Sequence, residues 1–142
     1  MSSAVLRRAQ PGFTLIEIIV AITIVAIMMG GAFSLFRYIE VSRRTRTEAS
    51  LKGIQLAVNS FQADTGFWPT MLLDLAVKPA DATIARRWRG PYAEERELSE
   101  DGWKYAFQYQ LNPKGAQHPY ELYSWGPHGE GSPQEEWISV WE

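Results

Sequence analysis

Residues 13–36 read FTLIEIIVAITIVAIMMGGAFSLF, an almost unbroken apolar run with one carboxylate, Glu17, near its start. At a rise of about 1.5 Å per residue, a stretch of that length spans roughly 36 Å as a helix, enough to cross a hydrocarbon layer of about 30 Å. A cleaved secretory signal has a shorter apolar core, about 7–15 residues, followed by a small-residue cleavage site, and this run is too long for one. The rest of the 142-residue chain is polar, aromatic-rich and punctuated by Gly and Pro. The sequence therefore reads as a membrane segment joined to a soluble head.

The carboxylate is the anomaly. On insertion scales a charge at the centre of a membrane helix costs about 2.5–3.5 kcal/mol, less near an end, and it calls for a partner. Glu17 is either a tolerated interfacial charge or half of an ion pair whose cation the apolar segment does not contain. A free α-amino group would serve. A cut after Gly12 would give Phe13 a new amine, and a neighbouring molecule's amine can reach Glu17 in register more readily than the chain's own.

Beyond the run, no helix breaker except Gly53 stands between Arg37 and Phe61, and Leu51, Ile54, Val58 and Phe61 recur on one helical face. One long helix is predicted from Phe13 to Phe61, apolar all round at first and one-sided later, with Gly30 and Gly31 as its weak point. Gly66 and Pro69 end it. A short second helix is expected within residues 70–79, irregular chain from there to about Ser99, and strands over 104–111, 120–125 and 137–141. The sheet they form is expected to bury its face against the stripe of the long helix.

Several function classes are set aside by composition. The chain has no cysteine, hence no disulfide or thiol nucleophile, and its net charge is −2. No basic stripe with interleaved aromatics suggests nucleic-acid binding. His118 and His128 both lie in Gly/Pro loops, with no Ser or Asp in a catalytic context around them, so no enzyme is read here.

A short basic leader ending in Gly, then FTLIE and a long apolar helix, resembles the class III signal of type IV pilins and pseudopilins. The head is similar to the major pseudopilins of type II secretion, the general secretion pathway protein G family. The residues that carry this are DTGFWPT, LLDLAVKP, RGPY, EDGWKYAFQY and YELYSWGPHGEG. Two departures stand out: Ser34 occupies the place of the family's helix-kinking proline, and Gly102 that of the proline in its Asp-Pro-Trp element.

The resemblance implies a type IV pilin-like α+β fold, divided into a leader (1–12), a transmembrane and fibre-core helix half (13–36) and a periplasmic head (37–142). It implies cleavage between Gly12 and Phe13 by a prepilin peptidase, N-methylation of Phe13, and a role for Glu17, with Phe13, in assembly. The implied product is a homopolymeric pseudopilus built at an inner-membrane assembly platform together with minor pseudopilins, helping to export folded proteins. The leader would stay cytoplasmic and the head would face the periplasm, against a naive count of Arg37, Arg43, Arg44, Arg46 and Lys52 beyond the span. Charges near Arg86, Arg87 and Arg89 would serve head-to-head contacts. A minor pseudopilin, a type IV or competence pilin, or a membrane-anchored binding module are the alternatives.

The family's last loop binds calcium, which here would fall to the Trp125 carbonyl, Glu135 and Glu136. His128 stands where the first aspartate would be, and Glu130 is a candidate to compensate. Calcium favours six to eight hard oxygens, and imidazole is a poor substitute. The alternative is a loop held by aromatic packing and hydrogen bonds.

Overall fold

The computed structural model describes residues 12–141, the side chains of 32–34 excepted. Leader residues 1–11 and the side chain of Ser34 lie outside the described residues. The chain divides into two compact units, the first ending at Ile39 and the second spanning Glu40–Glu142. A single helix, α1 (Leu15–Thr65), contributes to both and runs through Gly30 and Gly31 without a break.

In the first unit the described side chains of α1 are all exposed. An 18-residue window has a mean hydropathy of 2.5 with none of it buried, so this helix is long and apolar enough to cross a membrane. In the second unit the apolar surface narrows to the expected stripe. Leu51, Ile54, Val58 and Phe61 are each at most 2% exposed. The stripe is longer than its apolar members, because Thr47 and Thr65 continue it and are fully buried. Their hydroxyls donate to the carbonyls one turn back, Arg43 at 2.9 Å and Phe61 at 2.7 Å, which satisfies the buried oxygens locally. Gly66 ends the helix in the left-handed conformation, φ 81°, its N–H donating to the Gln62 carbonyl.

The second helix is a single 3-10 turn, Leu72–Leu75, that buries Leu75; Asp74 caps it by accepting from the Thr70 and Met71 amides. The stretch expected to be irregular contains two short helices, α2 (Ala82–Ala85) and α3 (Glu95–Ser99). Asp81 starts α2 by accepting from the Thr83 and Ile84 amides. Helices this short carry no periodic signal to read. Between them the RGPY turn contains a cis Gly90–Pro91 bond and delivers Tyr92, whose hydroxyl donates to Asp64 near the end of α1.

The sheet is antiparallel in the order β1 (Gln108–Leu111), β2 (Tyr120–Ser124), β3 (Ile138–Ser139). Tyr120, Leu122 and Ser124 point inward and are fully buried. Tyr120 and Leu122 join Phe107, Ile138, Leu75 and Leu98 in one core with the α1 stripe. Thus the sheet does bury its face on the helix.

The first strand starts later than its aromatic alternation predicts, and Asp101 is the reason. This buried carboxylate accepts from the Trp103 and Tyr105 amides at 2.8 and 2.9 Å and from the Ser124 hydroxyl at 2.5 Å, curling residues 101–105 into a turn. Lys104 takes φ 74° there, a conformation no strand allows.

Gly102, where the family has proline, sits directly on α1. Its N–H donates to Thr47 Oγ1 at 2.9 Å, and a Cβ at this position would lie 2.5 Å from the Arg43 carbonyl oxygen. Proline would remove the donor and add the clash.

These contacts set expected costs, read by denaturant unfolding of the detergent-solubilised chain. Phe61→Ala should lose about 3–5 kcal/mol, whereas Leu56→Ala, on the exposed side of the same helix, should stay within about 0.5 kcal/mol. Gly102→Pro should lose about 2 kcal/mol or more through the lost hydrogen bond and the overpacking.

Candidate functional site

Two places carry the residues singled out by the sequence. The first is the start of α1. Gly12 and Phe13 precede the helix and are exposed, Phe13 at 84%, so the peptide bond between them lies on accessible, non-helical chain. Thr14 is the last residue before the helix and Glu17 stands in its first turn. Glu17 Oε2 accepts from the Thr14 amide at 2.8 Å and from Thr14 Oγ1 at 3.1 Å, while the Glu17 amide points back to Thr14 Oγ1 at 3.4 Å. This is a reciprocal capping box, in which threonine and glutamate satisfy each other's orphan groups and the acid also complements the helix dipole.

Sequence reading missed Thr14, although the T-x-x-E spacing that marks such a box is plain in TLIE. Only one oxygen is used by the cap. Glu17 Oε1 accepts no hydrogen bond among the described residues, so half of the carboxylate is open to a donor from outside the chain.

The second place is the chain from β2 to β3. Ser124, at the end of β2, accepts the Gly126 amide on its hydroxyl oxygen and donates its O–H to Asp101, which ties the loop to the turn before β1. The Trp125 carbonyl accepts from Ser132 Oγ at 2.5 Å, and the Ser132 carbonyl accepts from Trp137 Nε1 at 3.0 Å. The Trp137 ring stacks on Tyr123, with centroids 4.7 Å apart and planes 5° from parallel, and Trp125 packs edge-on against it.

His128 Nδ1 lies 2.6 Å from Glu136 Oε2 across the loop mouth. That contact, first as a hydrogen bond and then as charge attraction, raises the His128 pKa above its ordinary value. Glu130 and Glu135 are exposed. The structure therefore gathers His128 with Glu136 and Trp125 with Ser132. Among the described residues no three His, Asp or Glu side chains come together as a metal cluster. Gly126 adopts φ 78° against the Glu136 carbonyl, where a Cβ would collide with it.

The remaining candidates are apart from both places. His118 stacks on Trp141, with centroids 4.2 Å apart and planes 10° from parallel, a packing role. Arg87 reaches the Thr65 carbonyl at 3.4 Å at the end of α1, while Arg86 and Arg89 accompany it around the α2 end of the head.

Comparison with known proteins agrees with this geometry. Residues 34–141 match the family model of type II secretion system protein G, and residues 7–33 match the prokaryotic N-terminal methylation motif. The type II secretion system core protein G of Xanthomonas campestris is 30% identical over 87% of this chain and 82% of its own length. The protein of the same name from Pseudomonas aeruginosa is 30% identical over 96% of this chain and 98% of its own. The major pseudopilin of the type 2 secretion system of enterohaemorrhagic Escherichia coli shares the fold, with a TM-score of 0.57 at 21% identity over 75% of this chain and 93% of that one.

Gly126→Ala should destabilise the head by about 2 kcal/mol or more, since it adds a left-handed backbone penalty to a steric collision. Thermal unfolding monitored by near-UV circular dichroism, which reads the Tyr123–Trp137 stack, checks this directly.

Proposed function

Because the chain belongs to the type II secretion system protein G family, we propose that it is the major structural subunit of a periplasmic pseudopilus that helps to drive folded proteins through the outer membrane. The observation that carries this reading is the start of α1: a carboxylate with one unclaimed oxygen on a helix whose apolar surface is exposed on every side.

In this scheme the chain first rests as a single-pass subunit in the inner membrane, with its leader cytoplasmic and its head periplasmic. A prepilin peptidase cuts between Gly12 and Phe13, and Phe13 is N-methylated. The new amine is a cation at the edge of lipid, where Glu17 is an anion. Pairing Glu17 Oε1 with the amine of an adjacent subunit neutralises both, while the capping bonds to Thr14 on Oε2 keep the carboxylate oriented. The assembly platform supplies subunits, minor pseudopilins begin the fibre, and further copies of this chain extend it.

Exposed head charges around Arg86 and Arg89 add polar contacts between neighbours. The subunit works by packing and performs no covalent chemistry of its own.

Two substitutions separate processing from assembly. Gly12→Leu should leave the chain uncut, seen as an unshifted band on a denaturing gel. Glu17→Ala should be cut normally yet fail to build fibres, because removing one partner of a buried ion pair costs about 3–5 kcal/mol per contact. Normal export by both variants would refute the proposal.

A further inference from the structure

The loop between β2 and β3 is where the family resemblance implies a bound calcium ion, and the side chains found there have other occupations. Calcium needs a shell of six to eight oxygens. The Trp125 carbonyl, the backbone donor of that shell, gives one of its two lone pairs to the Ser132 hydroxyl and would have only the other for an ion. Glu136 already pairs with His128, and Glu135 points to solvent. His128 itself brings a ring nitrogen to the place of an aspartate, removing a negative oxygen where the ion would need one. The carboxylates whose charge acts on it are Glu136 and, more weakly, Glu40, the latter accepting from Trp103 Nε1 at 2.8 Å. The donor set thus does not fit calcium.

What a metal would do mechanically is pull the two ends of a Gly-rich loop together, and here protein groups span the same gap. The His128–Glu136 contact joins the turn that follows β2 to the 3-10 turn before β3. Beneath it lie the Ser132–Trp125 hydrogen bond and the Tyr123–Trp137 stack. Gly129 rests on the ring of Tyr105, close enough that a Cβ would contact it at 2.7 Å, so the loop is seated on the head as well as closed on itself.

We infer that residues 126–137 are closed by an imidazole–carboxylate clasp, His128 to Glu136, in the place of calcium, and that the head folds and holds this loop without any divalent cation. Fibre assembly through Glu17 is a separate matter, because the readouts below are stability and loop cleavage, and a failure of either reading leaves the other standing.

The test uses the full chain purified in detergent, with EGTA or with millimolar calcium chloride. Thermal unfolding should give the same Tm in both. Calcium at about a hundred times a site's dissociation constant would raise Tm by roughly 10 °C, so a shift of that size would overturn the inference. Cleavage by a glutamate-specific protease at Glu130 and Glu135 reads loop opening. His128→Ala and Glu136→Gln should each speed it roughly fivefold in either buffer, and together no more than either alone, as for one shared contact. Unchanged cleavage in both single variants, or cleavage slowed by calcium in the unaltered chain, would likewise overturn it.

Discussion

The structure depends on how one helix disposes of its apolar surface. Over the first half of α1 that surface runs all the way round, and none of the described residues buries it. Lipid tails and the helices of other subunits are nearly equivalent apolar surroundings, so hydrophobicity alone cannot decide between a subunit dispersed in a membrane and one packed in a fibre. The decision falls to whatever polar group the helix carries. Glu17 is the one carboxylate between Phe13 and Phe36 and stands in the first turn of α1, and in the proposed scheme a cut after Gly12 would place the new chain end close to it. In the capping box one oxygen fixes the side chain, and the other accepts no hydrogen bond among the described residues.

The second half of the same helix solves a different problem. There the apolar surface has narrowed to a stripe, and the head folds onto it. Two buried threonines bracket the stripe and fasten the chain at either end. Thr47 receives the Gly102 amide, fixing the approach to β1, and Thr65, whose proton goes to the Phe61 carbonyl, receives the Phe67 amide as the chain leaves the helix. Asp101 then links that approach to the end of β2 through Ser124. The C-terminal loop is thereby tied through Ser124 and Asp101 to the turn seated on the helix.

How much of this could be read beforehand follows from the range of each interaction. The stripe Leu51, Ile54, Val58, Phe61 and the stop at Gly66 were legible because periodicity and backbone freedom are local properties. Glycine 102 was noticed only as a missing proline; its use as a donor to Thr47 joins residues 55 positions apart and has no local signature. The late start of β1 was hidden for the same reason, since Asp101 overrides the alternation of aromatic residues that follow it. Helices α2 and α3 are too short to show a period. The Thr14–Glu17 box has an equally local signature, the T-x-x-E spacing of TLIE. The partner of His128 was not legible, since the pair forms only when the loop folds back from β2 to β3.

The most direct measurement is a carbon–nitrogen distance inside the assembled fibre. Fibres grown from an equal mixture of subunits, half carrying a 13C carboxylate at Glu17 and half a 15N amine at Phe13, report only contacts between different molecules. Pairing of the open Glu17 oxygen with a neighbour's amine predicts strong carbon–nitrogen dipolar dephasing, corresponding to a separation of about 4 Å or less. Dephasing confined to fibres in which both labels sit on the same chain would contradict it.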